Sequence, residues 1–485
     1  MNLRKSMLTK SLIRAVATAF AIAIVSGACT SPQSGKMEDK QEEDIPKFSG
    51  EKGEVVLMTV DPGHFHSALV QKFMYPQISP KAYVFAPEGD DVQQHLSKIE
   101  LYNSREDQPT NWEEVVYTGD DFFEKMLAEK PGNVMMVAGN NGKKTEYISE
   151  AVKNNIHVLA DKPMVIEPAE FELLKSALEE ADKKGLLVYD IMTERFEIST
   201  IMQKELSAFP EVFGDLEKGT PENPAISKES VHHFFKYVSG LPLKRPTWFF
   251  DIKQQGEGIV DVSTHLVDLI LWECFPEQGI DYKTETEVIS GKRWPTSLSS
   301  TQFEKVTGET QFPDFLNKDV VNDSLQVYAN GEIIFTTRGV HGKASVIWNF
   351  EAPEGAKDTH FSMMRGTKAN LIIRQDAPQN YQPTLYVEPV AGSDAASIEA
   401  GLKSTLASLA NKYPGMEMKK SDNGWEIIIP EKYKNGHEAH FSQVTEKYLE
   451  YLKEGKIPDW EKQNIITKYF ITTEAYKLSH QNTSN

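Results

Sequence analysis

The sequence predicts an α/β fold: a doubly wound parallel sheet, followed by an α+β part with an open, mainly antiparallel sheet. Three observations predict it. Residues 54–192 alternate short apolar runs with amphipathic segments. Residues 286–374 are mainly strand-like. Two long amphipathic segments then end the chain. Near-continuous apolar strands separated by helices require a sheet covered on both faces, which is the parallel arrangement.

In order, the strands of the first sheet are expected at 55–60, 82–86, 115–117, 134–138, 157–160 and 186–191. Helices are expected between them at 67–74, 92–101, 121–129, 144–154 and 169–184. This is a Rossmann-like pattern, which binds nucleotides against the carboxyl ends of its strands. Beyond Thr193 the periodicity predicts a helix over 198–208, a strand over 230–237 and an apolar helix over 261–275. Strands follow at 324–328, 332–338, 345–350 and 370–373. An extension from about 375 to 430 carries alternating pieces at 384–387 and 425–429, before helices at 439–454 and 461–480. The expected division is a signal peptide (1–28), a flexible tether (29–50), the dinucleotide-binding domain (51–192) and a substrate-binding and oligomerisation domain (193–485) whose extension starts near 375.

Arg4, Lys5, Lys10 and Arg14 precede an apolar, small-residue run at 15–27, too short to span a bilayer comfortably. Ser26-Gly27-Ala28-Cys29 resembles a lipobox without its usual leucine, which makes Cys29 the lipidation candidate. The chain is therefore expected to be exported and lipid-anchored in the cell envelope, on the periplasmic side or the outer membrane. The other cysteine, Cys274, has no internal disulfide partner once Cys29 is acylated. The formal charge of −19 becomes −23 without the four positive charges of the leader. That balance argues against nucleic acid and suits neutral partners such as a sugar or glycoside.

Three turns carry candidate nucleotide contacts. Asp61-Pro62-Gly63-His64-Phe65-His66 follows the first strand, where a dinucleotide fold uses glycines to bring backbone N–H groups to the pyrophosphate. Only Gly63 fits that pattern, with His64 or His66 as further donors. Glu88, 25 positions beyond Gly63, suits an adenosine ribose, and the lack of a following Arg or Lys favours NAD over NADP. Gly139, Asn140 and Asn141 follow the fourth strand, where they suit a ribose or cap the next helix. His64-Phe65-His66 also resembles the His-x-His of metal-dependent hydrolases. That reading needs ligands on later strands; His157 and Asp190 are nominated without support from spacing, and no metal is expected.

Asp161-Lys162-Pro163 after the fifth strand, Arg195-Phe196 after the sixth, and Gly256-Glu257-Gly258-Ile259-Val260-Asp261-Val262-Ser263-Thr264-His265-Leu266-Val267-Asp268 resemble the motifs of the Gfo/Idh/MocA oxidoreductases. Trp248 and Asp251 precede the last stretch in the familiar way, and the Asp-Pro-Gly-His-Phe-His start resembles a Bacteroidetes-type lipoprotein subgroup with its own C-terminal domain. The resemblance implies that Lys162, Asp261 and His265 surround a reacting carbinol. His265 would move the hydroxyl proton, with an imidazole pKa near ~6.5. Lys162 would stabilise charge on the same oxygen, and Asp261 would orient substrate and tune its neighbours. Asp161 and Lys162 are also placed at the cofactor. Arg195, His232, Trp248 and Asp268 are the candidate substrate contacts, with pairing to a neighbouring cation the equal alternative for Asp268. The expected activity is NAD-dependent oxidation of a sugar or glycoside ring hydroxyl to a ketone, or the reverse, with tightly held cofactor in a homo-oligomer. A redox-neutral NAD-dependent glycosidase and a carbohydrate-binding lipoprotein without cofactor are the alternatives.

Overall fold

The computed structural model describes residues 45 and 47–481, apart from 239–240 and 353–354. The leader, Cys29 and most of the expected tether lie outside the described residues. The end of that tether is not free: Phe48 is buried, edge-on to His157 at a ring separation of 5.1 Å. The compact part therefore begins before residue 50.

The first sheet contains β1 (Leu57–Val60), β2 (Lys81–Ala86), β3 (Glu113–Thr118), β4 (Val134–Val137), β5 (His157–Asp161) and β6 (Val188–Ile191). Its order is β3-β2-β1-β4-β5-β6, and every pair is parallel. The covering helices are α1 (His66–Leu69), α2 (Asp90–Ser104), α3 (Phe122–Glu129), α4 (Asn141–Lys153) and α5 (Phe171–Lys184). Strands β1, β4, β5 and β6 are buried at every position, as their uninterrupted apolar runs require. Order reverses between β1 and β4, so the crevice above their carboxyl ends is where this topology binds ligands.

After α6 (Ile198–Ser207) comes β7 (Ile226–Phe235), then the small pair β8 (Tyr237–Val238) and β9 (Leu241–Pro242), α7 (Ser263–Cys274), β10 (Thr286–Ser299), α8 (Ser300–Thr307) and β11 (Val320–Val321). Strands β12 (Ser324–Thr337), β13 (Val340–Glu351), β14 (Thr359–Arg365), β15 (Ala369–Gln375) and β16 (Thr384–Pro389) follow. Then come α9 (Ala395–Leu409), β17 (Glu417–Ser421), β18 (Gly424–Ile428), α10 (His437–Glu454) and α11 (Asp459–Gln481). The ten-stranded sheet runs β10-β12-β13-β7-β14-β15-β16-β18-β17, with β11 beside β12. It is antiparallel except where β13 meets β7. The extension is not separate: β16, β17 and β18 continue this sheet. Helix α8 was not expected, although Ser299 and Gln302 form a capping box at its start. Helix α9, capped by Asp394, is rich in Ala and Ser and shows little apolar periodicity. Among the described residues no helix is long and apolar enough to cross a membrane.

The last two helices return to the first sheet. Phe441, Val444, Tyr448 and Leu452 of α10 belong to the core beneath it, with Tyr448 stacked on Tyr189. On α11, the Tyr469 hydroxyl accepts the Met164 N–H at 3.1 Å and donates to Asp190 at 2.9 Å. Ile471 and Ala475 of the same helix lie in the second core. Helix α10 thus completes the core of the first sheet, and α11 packs against both cores. Helix α11 can approach β10 this closely because position 291 has no side chain: a Cβ on Gly291 would lie 2.0 Å from the Ala475 carbonyl oxygen. A Gly291→Ala variant is expected to lose about 1–3 kcal/mol to overpacking, read as a lower urea midpoint with an unchanged slope.

Candidate functional site

Strand β5 ends at Asp161 and delivers Lys162 into the crevice. The Lys162 ammonium donates to Asp261 Oδ1 at 2.7 Å, and the other carboxylate oxygen of Asp261 accepts the Gln255 side-chain amide at 2.9 Å. Lys162 and Asp261 side chains are only 11% and 9% exposed, so this pair is little screened by water. Asp261 stands in the turn that leads into α7 rather than on the helix, whose first residue is Ser263. His265, in the first turn of α7, has a buried Nδ1 with no hydrogen-bond partner. Burial, and then the charge of Lys162, pushes its pKa well below the ordinary histidine value. The expected pKa near ~6.5 is therefore corrected downward: His265 is a neutral imidazole with a free ring nitrogen.

Asp161 is held from two sides. Its backbone carbonyl accepts the ammonium of fully buried Lys144 at 2.8 Å, and its Oδ2 lies 3.0 Å from His66 Nδ1 and 3.7 Å from His64 Nδ1. His66 also packs against Phe441 and has the His437 ring 5.2 Å away. Burial pushes Lys144 down to about 8 and His437 to about 4. Lys144 and Gln255 were not singled out by sequence reasoning. Lys144 and Gln255 carry no motif, and His437 reaches the site only because α10 folds back.

The first βα turn differs from a glycine-rich phosphate loop in its backbone. Asp61 takes the left-handed conformation (φ 47°) that a glycine would adopt at no cost. The Gly63 N–H bonds to Asp61 O at 2.8 Å and the His64 N–H to Ala138 O at 3.1 Å, so neither is free for phosphate. Helix α1 is a single turn. Gly139 is required by this packing, since a Cβ there would meet Asp61 O at 2.0 Å. Asn140 caps α4 and donates to Gln254, while Asn141 donates to the Gln255 carbonyl at 2.7 Å. Asn140 is thus the expected cap of the next helix, and with Asn141 it also seats the 254–255 loop. Burial, reinforced by Asp91, pushes Asp61 up to about 6.

A cavity of about 340 Å³ opens beyond the ends of β1 and β2, lined by Asp61, Glu88, Asp91, Lys244, Arg245 and Trp248. The Trp248 indole N–H donates to Asp91 at 2.8 Å. Trp248 therefore belongs to this nucleoside-sized cavity and not to a substrate face. Two other substrate candidates are also relocated. Arg195 and Asp268 form a buried bidentate pair at 2.6 and 2.7 Å; Arg195 reaches Glu461 at 2.5 Å, and Lys468 joins Asp268 at 2.9 Å and Asp190 at 2.7 Å. This is an internal network linking α7 to α11. His232 stacks on Trp348 with Asp358 at 3.6 Å, and its Nε2 is buried and unpartnered. His233 reaches the same carboxylate, at 2.9 Å. The nominated metal ligands are engaged elsewhere: His157 Nδ1 accepts the Leu187 N–H, and Asp190 pairs with Lys468.

A nicotinamide dinucleotide finds a partial fit in this set. Glu88 and Asp91 suit ribose hydroxyls and Trp248 offers a ring face, but the turn supplies no free donor from Gly63 or His64. Two cations line the same cavity, Lys244 and Arg245, both from the second part of the chain, and the Arg245 guanidinium also donates to the Phe234 and His233 carbonyls.

Two family models match. One is described as "Putative oxidoreductase C terminal domain" and covers residues 202–480; the other, "Oxidoreductase family, NAD-binding Rossmann fold", covers residues 89–189. The second match begins after the atypical turn. No curated protein matches the chain. Among solved structures, a "putative oxidoreductase" from Parabacteroides merdae ATCC 43184 is 55% identical, with 90% of this chain and 100% of that one covered and a TM-score of 0.89. Levoglucosan dehydrogenase in complex with NADH and L-sorbose is 11% identical over 88% of this chain and 97% of that one, at a TM-score of 0.54. A mutant form of KijD10, a 3-ketoreductase from Actinomadura kijaniata, in complex with TDP-benzene and NADP, is 12% identical over 87% and 97%, at 0.52. The last two show likeness of fold alone.

Proposed function

We propose, on the premise that the chain belongs to the Gfo/Idh/MocA oxidoreductase family, that it oxidises a ring hydroxyl of a sugar or glycoside to a ketone, or reduces the ketone, with NAD. The observation that carries this reading is the Lys162–Asp261 pair beside the unpartnered Nδ1 of His265. A bound nicotinamide supplies the acceptor for the carbinol hydrogen. The chain's own residues manage the proton and the charge. His265, neutral at physiological pH, takes the hydroxyl proton. Lys162 donates a hydrogen bond to the same oxygen as negative charge develops on it. Asp261, fixed by Gln255, aims the ammonium. His232 lies at the Trp348 edge of the site with a free ring nitrogen for a further hydroxyl. Glu88, Asp91 and Trp248 hold the adenosine end, and Lys244 and Arg245 replace the loop as partners of the phosphates. Likeness of fold to levoglucosan dehydrogenase and a 3-ketoreductase supports a polyhydroxylated substrate. We carry the lipid anchor and the homo-oligomer as part of the same proposal.

The test begins with the supernatant of denatured protein. Released NAD or NADH, or a thermal shift on adding NAD, is expected; neither would leave a carbohydrate-binding protein without redox chemistry. Once a substrate is found, the acid limb of kcat/KM is expected below pH ~6.5, because a lowered imidazole pKa keeps His265 proton-free as the pH falls. An acid limb unchanged in His265→Ala would remove the base assignment.

A further inference from the structure

We propose that His64, His66 and Asp161 form a binding site for one divalent transition-metal ion of the zinc class. The side chains come from two places: His64 and His66 flank Phe65 in the turn after β1, and Asp161 ends β5. One ligand atom from each lies within 4.8 Å of the others. Two donors bound about 2.1 Å from a tetrahedral ion stand about 3.4 Å apart. The distances from Asp161 Oδ2 to the two Nδ1 atoms, 3.0 and 3.7 Å, straddle that value. The two imidazole rings stand 4.0 Å apart at 80°, so they converge without stacking.

Two histidines and one carboxylate are a donor set that leaves coordination positions open. The donors are also ready for a metal. Their backbones are pinned, through His64 N–H to Ala138 O and through Lys144 to Asp161 O. His64, with 22% of its side chain exposed, gives a way in. Lys144 and Lys162 oppose a cation here, but Asp61, Asp161 and Asp261 bring three carboxylates against those two ammonium groups. The ring of His437, 5.2 Å from that of His66, is the nearest candidate for a fourth ligand.

The site does not depend on a nucleotide, and it explains why Asp-Pro-Gly-His-Phe-His stands where phosphate-binding glycines are expected. Its test uses the full chain purified without a polyhistidine tag, stripped with chelator and titrated with zinc. About one equivalent is expected to bind, and cobalt in its place is expected to give visible d–d absorption. His66→Ala and Asp161→Asn are each expected to weaken zinc by at least the ~10–100-fold that loss of an outer-shell partner costs. His64→Gln, at the more exposed position, provides a variant that folds should the buried ones fail. Less than about a tenth of an equivalent in the unaltered chain, or equal affinity in His64→Gln, would overturn the proposal; the Asp161–His66 contact would then be a plain hydrogen bond.

Discussion

Replacing Lys162 with methionine is expected to lower turnover by about 10²–10³-fold while leaving nucleotide retention unchanged. Methionine keeps most of the aliphatic stem and removes only the ammonium, which donates at 2.7 Å to Asp261. The loss should appear in kcat and kcat/KM together, because the hydrogen bond to the reacting oxygen strengthens only as that oxygen gains charge. Two controls separate this from misfolding. Some fall in the thermal midpoint is expected, since Asp261 keeps Gln255 but loses its buried countercharge, so turnover is compared per folded protein. Lys162→Arg should recover only part of the activity, since a guanidinium cannot occupy the same point. Full activity in Lys162→Met would remove the lysine from the chemistry.

Asp268→Leu is expected to cost about 3–5 kcal/mol of stability, the penalty for stranding a buried countercharge. Asp268 accepts three hydrogen bonds from Arg195 and Lys468, all in the interior. Burial alone would raise its pKa, but Arg195 and then Lys468 bring it well below the carboxylate range. A depressed carboxyl pKa contributes stability above the unfolded value and loses it as pH falls through the folded one. The contribution is therefore complete at neutral pH and is lost only in strong acid. Removing the carboxylate leaves Arg195 with Glu461 and Lys468 with Asp190, so the damage stops short of two isolated cations. A denaturant titration at neutral pH measures the loss, and Asp268→Asn, which keeps an acceptor, should lose less.

The two variants also divide what the sequence reveals from what it hides. The six parallel strands were legible because buried strands carry unbroken apolar runs. Lys162, Asp261 and His265 were legible because each stands in a motif at the end of a strand or the start of a helix. The structure does bring Lys162 and Asp261 together. Arg195 and Asp268 were equally visible but their partners were not: Glu461 lies 266 residues beyond Arg195 and Lys468 lies 200 beyond Asp268, in a helix whose docking no local pattern foretells. Asp161 as the companion of His64 and His66 was hidden for the same reason, since a contact between strand ends is set by strand order and not by spacing. At Asn140 the helix cap was legible, but the docking of the 254–255 loop on Asn140 and Asn141 was not, because its partners lie 114 residues away.

Helices α10 and α11 seal the underside of a sheet whose first strand begins nearly 380 residues earlier. A nascent chain therefore cannot finish its opening domain until its final segment has been synthesised. A fragment ending near residue 192 would expose the apolar surface that Tyr448 and Tyr469 cover. Trimming the carboxyl end back to about residue 437 would be felt at the crevice beside Asp161 and Lys162, since the Tyr469 hydroxyl holds the Met164 N–H across 305 residues of chain.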